Sequence, residues 1–245
     1  MKKSTCLFMV FFGGYVLAQV PSGEEILAKV DKNYEAKKRV SVSKMSINGR
    51  RGTRTIKTKS WAQGEEKAFT QYLEPAREKD TKMLKLAEEL WIWSPATDRI
   101  IKIAGHMLRQ SMNGSDISYE DFMQDPVLKN SYAVEVLDDE KVKDRACYVL
   151  YLSAKKEELS YCYRKIWVDK ERFLPLKEEL YAKSKKLLKL FEIRDVMYIK
   201  DRWYPKNILY KDVLMGGSGT EILIESIDFD ADIPAYMFTK ASLKR

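Results

Sequence analysis

From residue 40 onward the chain falls into short runs rich in Val, Ile, Thr, Tyr and Trp. They are cut by turn-forming pairs at Asn48-Gly49, Gln63-Gly64, Thr97-Asp98, Asp138-Asp139, Lys155-Lys156, Asp169-Lys170, Lys183-Ser184, Lys200-Asp201 and Gly216-Gly217. Turn signals at this spacing predict antiparallel hairpins in succession. The strand candidates are 53–62, 67–73, 83–86, 90–94, 100–104, 132–137, 148–152, 160–168, 174–181, 187–197, 203–212 and 220–228. The expected fold is mainly β with some α: a single, strongly curved sheet of about eleven strands. Runs that are apolar on both faces, such as Tyr148-Val149-Leu150-Tyr151-Leu152, require part of that sheet to be covered on both sides. A helix inside the curve meets the requirement. Ser22 followed three residues later by Glu25 has the form of a capping box, and Ile26, Leu27, Val30 and Tyr34 then recur on one face, so an amphipathic helix is expected ahead of the strands.

Composition narrows the function. The chain has 245 residues, 45% of them hydrophobic, and a single histidine, His106. One imidazole removes His-rich zinc sites and any Ser-His or Cys-His scheme that needs a second, and no metal, cofactor or catalytic residue is expected. No repeat or linker divides the chain, so 19–245 is read as one domain. The net charge of +8 would ordinarily raise nucleic acid as a partner. The first residues argue otherwise. Met1-Lys2-Lys3, an apolar stretch over 7–17 and Val16-Leu17-Ala18 read as a secretory leader over 1–18, because the apolar stretch is shorter than the ~20 residues that span a bilayer. An exported basic protein meets anionic lipid and envelope polymers rather than genomes. Cys6 would leave with the leader. Cys147 and Cys162 then lie in two strand-like runs of one hairpin; a disulfide between them and two free thiols are both open, since direct pairing would centre the turn earlier than the charged residues suggest.

Residues 106–123 show neither strand alternation nor a long helical period. Ser118 with Asp121 three later can cap a short helix, and Gly114 permits the turn before it. Met83, Met107, Met112 and Met123 fall in or near this segment, where flexible side chains either line an apolar space or fill gaps in a core.

The runs Leu90-Trp91-Ile92-Trp93-Ser94-Pro95, Asp98-Arg99-Ile100-Ile101-Lys102-Ile103 and Ser111-Met112-Asn113-Gly114-Ser115-Asp116-Ile117-Ser118-Tyr119-Glu120-Asp121-Phe122 resemble the outer-membrane lipoprotein-sorting protein family, related to the periplasmic carrier LolA and the receptor LolB. Ile166-Trp167-Val168-Asp169, Leu174-Pro175-Leu176-Lys177, Trp203-Tyr204-Pro205, Gly219-Thr220 and Ile233-Pro234-Ala235-Tyr236-Met237-Phe238-Thr239 follow in the expected order. The resemblance implies an unclosed antiparallel β-barrel wrapped around helices, with an apolar cavity that shields acyl chains. It also implies a monomeric periplasmic carrier of lipoprotein acyl chains or phospholipid, served by an inner-membrane transporter and an outer-membrane acceptor. An exposed methylene costs about 0.8 kcal/mol, so such a carrier needs a dry cavity and a removable lid. The lid candidate is 112–122.

The candidates for lining the cavity or lid are Leu84, Leu86, Trp91, Trp93, Ile101, Met107, Met112, Ile117, Tyr119, Phe122, Met123 and Trp167. Alternation places Trp91 and Trp93 on one face of their strand and Leu90 and Ile92 on the other, without saying which pair faces inward. Arg99 is a candidate partner for Asp116 of the lid or for a lipid phosphate, and equally a solvated turn residue. In LolA an arginine from the sheet holds the lid; no arginine here is matched to it. Two other functions compete. A lipid-ester hydrolase would use Ser111, Ser115 or Ser118 with His106, but the segment lacks a Gly-x-Ser-x-Gly elbow. An envelope scaffold accessory to an export pump would use the half-barrel for docking alone.

Overall fold

The computed structural model describes residues 21–49, 52–124, 127–156 and 159–245. The expected leader over 1–18, including Cys6, lies outside the described residues. Helix α1 (Gly23–Tyr34) opens the fold with the capping box intact: the Ser22 hydroxyl accepts from the Glu25 N–H, and the Glu25 carboxylate accepts from the Ser22 N–H.

Thirteen strands follow among the described residues: β1 (Lys38–Gly49), β2 (Gly52–Gln63), β3 (Lys67–Glu74), β4 (Lys82–Leu86), β5 (Glu89–Ser94), β6 (Arg99–Ile103), β7 (Tyr132–Val142), β8 (Arg145–Ala154), β9 (Tyr163–Asp169), β10 (Pro175–Tyr181), β11 (Leu187–Ile199), β12 (Arg202–Asp212) and β13 (Thr220–Asp228). They form one antiparallel sheet in the order β6-β5-β4-β3-β2-β1-β13-β12-β11-β10-β9-β8-β7. Every neighbour is a neighbour in sequence except β1 and β13, whose pairing joins two meanders. Strands β6 and β7 are the free edges, so the sheet is curved but unclosed.

Sequence reading finds twelve of the strands and misses β1. The inner face of β1 carries Ser43 beside Met45 and Ile47, and Ser43 finds its partner across the sheet in the Thr58 hydroxyl, 3.1 Å away. One turn is misplaced. Asp138-Asp139 lies inside β7, where the register slips between Leu137 and Glu140, so the pair forms a bulge. The chain reverses instead at Lys143-Asp144, with Lys143 at a φ of 54°. Lys200-Asp201 is a true two-residue hairpin turn, both residues left-handed at 46° and 58°, which suits the twist of the flanking strands.

Three apolar layers follow from the alternation. On the inner face, Ile26, Leu27 and Val30 of α1 pack on Leu150, Leu152, Ile166 and Val168 of β8 and β9. Each such side chain contributes about 1.5–3 kcal/mol. On the outer face of β3, β4 and β5, Phe69, Leu84 and Trp91 lie beneath a C-terminal strap that supplies Ile233, Phe238 and Leu243. On the outer face of β8, β9 and β10, Cys147, Val149, Trp167 and Leu176 form a smaller cluster. Runs apolar on both faces are therefore covered on both.

Candidate functional site

The described residues between the two free edges of the sheet, 104–124 and 127–131, pack on its inner face rather than on the outside. The segment contains two short 3-10 turns (Gly105–Arg109 and Met112–Gly114), α2 (Tyr119–Met123) and α3 (Leu128–Ser131). Ser118 caps α2, with Asp121 accepting from the Ser118 N–H in return. Met112 and Ile117 pack against Met45, Ile47, Ile56, Tyr72 and Met83, with Met107, Tyr119, Phe122 and Met123 around them.

Beneath this insert lies a cavity of about 500 Å³. Its wall includes Met83 of β4 and Phe191 of β11, strands that stand six places apart in the sheet. In a flat sheet six spacings cover roughly 29 Å, so a shared cavity measures how strongly the sheet curls. Val30 and Tyr34 of α1, Met45, Met112, Phe122, Leu180, Ile208 and Ile222 supply apolar lining, while Arg39, Lys85, Asp121, Gln124, Arg164 and Glu178 add polar groups.

The insert is tied to the sheet by charged and polar contacts. Lys189 of β11 donates to the Asp116 carbonyl at 2.8 Å and to the Asp121 carboxylate at 2.5 Å. The Asp116 carboxylate accepts from the Thr220 hydroxyl at 2.7 Å and from the Asp212 N–H at 3.0 Å. Tyr161 donates to Asp121 at 2.6 Å, Lys85 donates to the Met123 carbonyl at 3.1 Å, and Ser160 donates to Glu120. Arg164 of β9 donates to the Gln124 side-chain oxygen and stands 3.6 Å from Glu178 of β10. Burial alone would raise the Asp121 carboxyl, but Lys189, Tyr161 and the Ser118 N–H outweigh it and hold the group below the usual carboxylate range. Burial wins at Glu178, whose carboxyl is raised despite the Arg164 guanidinium. The Tyr34 and Tyr210 phenols are pushed up first by burial and then by the charge of Glu178.

Among the expected lining residues, Met112, Ile117 and Phe122 border the cavity. Met107, Tyr119 and Met123 form the body of the insert around them, and Ile101 sits on edge strand β6, 48% exposed. Leu84, Leu86, Trp91 and Trp93 point the other way, into the cluster under the C-terminal strap; Leu90 and Ile92 are the inward pair on β5. Trp167 is also on the outer face, where its indole N–H donates to Glu140 at 2.8 Å. Arg99 is exposed at the start of β6, and Asp116 takes Thr220 and Lys189 as partners in its place. Cys147 and Cys162 are free. Register is the reason: Cys147 pairs with Asp169, while Cys162 lies just before Tyr163, the partner of Ser153. Six residues of strand are about 20 Å, far beyond the ~7 Å between Cα atoms that a disulfide tolerates.

The serines of the insert are engaged locally: Ser111 donates to the Ser115 carbonyl, Ser115 contacts the Ile117 backbone, and Ser118 caps α2. His106 is exposed. Arg164, Glu178, Lys189 and Thr220 were not among the sequence candidates. Lys189 between Leu188 and Leu190, and Arg164 on the same face as Ile166 and Val168, were the available signal, but their partners lie 68 and 40 residues away, as in Lys189 to Asp121 and Arg164 to Gln124.

A family model described as "Uncharacterized protein" matches residues 64–245. No curated protein matches the chain. Among solved structures, a DUF1329 family protein from Desulfovibrio piger is 24% identical with a TM-score of 0.82, covering 90% of this chain and 97% of its own. A domain from Vibrio parahaemolyticus, assigned as an outer membrane lipoprotein-sorting protein, is 21% identical with a TM-score of 0.79, covering 91% of this chain and 100% of its own. A LolA superfamily protein from Nitrosomonas europaea is 23% identical with a TM-score of 0.75, with the same 91% and 100% coverage.

Proposed function

Because the chain belongs to the family matched over residues 64–245 and has the fold of the lipoprotein-sorting and LolA superfamily structures, we propose that it is a carrier. It holds acyl chains of lipoproteins or phospholipid in the inner cavity and moves them through the periplasm toward the outer membrane, without covalent chemistry. The observation that carries this reading is the cavity of about 500 Å³ roofed by the insert. Its walls are mostly apolar, and its roof combines the polar contacts described above with apolar contacts of Met112 and Ile117 to the inner face of the sheet, a face that an acyl chain would cover in the roof's place. Transfer is then a question of relative burial: an acyl chain leaves water for Met45, Met83, Met112 and Phe122 at about 0.8 kcal/mol per methylene, while the insert gives up Lys189, Thr220 and Arg164. Among the described residues no helix is long and apolar enough to cross a membrane. On this reading the carrier is loaded by an inner-membrane transporter and unloaded at an outer-membrane acceptor.

The test is to purify the chain from residue 19 out of an envelope extract without detergent, then identify noncovalently bound material by native mass spectrometry and lipid extraction. Stoichiometric phospholipid or acylated peptide supports the carrier. A chain that stays empty when offered both overturns it and leaves the docking scaffold for an export pump in front.

A further inference from the structure

Among the described residues, the longest consecutive run of exposed large apolar side chains is Val213, Leu214 and Met215, which are 39%, 59% and 50% exposed. They form the first half of the turn between β12 and β13; Gly216, Gly217 and Ser218 complete its exposed part. The base of this hairpin is stiff. The Val213 N–H donates to the Leu188 carbonyl at 2.9 Å, and the Leu214 N–H donates to the Asp212 carboxylate at 2.9 Å. A single carboxylate, Asp116, then spans the base by accepting from the Asp212 N–H on one side and the Thr220 hydroxyl on the other. Gly219 closes the return at a φ of 97°, where an added Cβ would stand 2.6 Å from the Tyr210 carbonyl oxygen. The apolar side chains are thus held outward, where an isolated protein gains nothing from them.

The neighbouring turn identifies what they meet. Because β11 lies between β10 and β12 in the sheet, the turn joining β10 to β11 stands beside this hairpin on the same rim, and its residues Lys183, Ser184, Lys185 and Lys186 are all exposed. The carboxylate nearest the tip, Asp212, is turned toward the Leu214 N–H and lies 3.9 Å from Lys189. An apolar point flanked by cations is complementary to a bilayer surface that offers hydrocarbon below and anionic headgroups around it. A second copy of the chain would set these lysines against their own kind, and an overall net charge of +8 adds to that repulsion.

We propose that the 213–219 hairpin docks the protein on an anionic bilayer surface, with Leu214 and Met215 entering the interface and Lys185 and Lys186 contacting headgroups. This surface is separate from the cavity and does not depend on what the cavity holds.

The test is cosedimentation of the purified chain with heavy-loaded vesicles of phosphatidylethanolamine containing roughly one-third phosphatidylglycerol, against vesicles of phosphatidylcholine alone. The protein should pellet with the anionic vesicles, weakly with the neutral ones, and less at high salt. Leu214→Glu combined with Met215→Glu should lower partitioning roughly tenfold or more, and Lys185→Glu with Lys186→Glu should lower it to a similar extent and remove the salt dependence. All four positions are exposed, so circular dichroism should report an unchanged fold. Docking takes protein into the pellet, whereas cavity uptake leaves a protein–lipid complex in the supernatant, so the two readings fail separately. Equal pelleting of wild type and the Leu214/Met215 variant, or no pelleting with anionic vesicles, overturns the proposal. A self-association or protein complex abolished by that same variant while vesicle binding persists also overturns it and reassigns the hairpin to a protein partner.

Discussion

Asp121 shows how much one side chain carries in this fold. It caps α2 through Ser118, accepts from Tyr161, and meets the Lys189 ammonium at 2.5 Å, with both partners of that pair about nine-tenths buried. Removing one member of a buried ion pair leaves the other uncompensated, typically at a cost of about 3–5 kcal/mol. Lys189→Met is therefore expected to destabilise the protein by about that amount in urea unfolding, and replacing Asp121 by Leu in the same chain should recover part of the loss. Since the folded-state carboxyl of Asp121 is depressed, its stabilisation is fully present above the unfolded carboxylate range and is lost as pH falls through the folded value. Asp169 follows the same rule: burial raises it, but Arg145 at 2.8 and 2.9 Å and the N–H groups of Glu171 and Arg172 hold it down. Thermal melts should thus lose stability below about pH 4, and Asp121→Asn should be less stable at pH 7 but show a shallower acid limb. A limb of unchanged slope would remove Asp121 from the account. The capping role of Asp121 was legible in the sequence, because a cap is a contact three residues long. Its pairing with Lys189 was not, since nothing local joins the two.

Besides α1, two elements cover the sheet, the C-terminal strap and the insert, and they do so for different reasons. The C-terminal strap buries Phe238 and Leu243 against Phe69, Leu84 and Trp91, so it acts as permanent cladding of an outer face too apolar to be left wet. Leu243 is fully buried, and Leu243→Ala should cost about 2–5 kcal/mol in urea unfolding without altering lipid binding. Loss of lipid binding in a folded Leu243→Ala protein would place the strap in the carrier mechanism after all. The insert is different: besides the apolar contacts of Met112 and Ile117, it is held by polar anchors at Asp116, Asp121, Gln124 and the Met123 carbonyl, whose groups regain water as partners when it lifts. Alternation predicted that Trp91 and Trp93 share a face and that Leu90 and Ile92 share the other. Which face turned inward depended on a strap whose docking site lies about 150 residues earlier in the chain, a distance over which strand periodicity carries no information.

For the molecule as a whole, the unequal anchoring of these covers sets where it opens. Amides in β8 and β9, under α1 and with Leu150, Leu152 and Ile166 fully buried, should exchange with deuterium only through global unfolding, while those of 105–123 should exchange through a smaller, local opening. Equal protection in both regions would contradict a movable roof. Replacing Asp116 and Thr220 by cysteine offers a direct lock, because the Asp116 N–H itself donates to the Thr220 hydroxyl at 3.0 Å, which keeps the two Cα atoms within the ~7 Å that a disulfide tolerates. The oxidised double variant is expected to take up and release lipid much more slowly than its reduced form, as read by transfer between donor and acceptor vesicles; equal rates would show that lipid enters without moving the insert. Local physics in the sequence determined the hairpin meander, the caps of α1 and α2 and the presence of a methionine-rich connection, because turn chemistry, alternation and capping act within a few residues. The count of thirteen strands among the described residues, the free cysteines, the inward pair of β5 and the Lys189 and Arg164 anchors were decided by tertiary structure. Each depends on register and curvature, which bring β4 and β11 to one cavity, and those are set by the packing of the whole sheet around α1 and the insert.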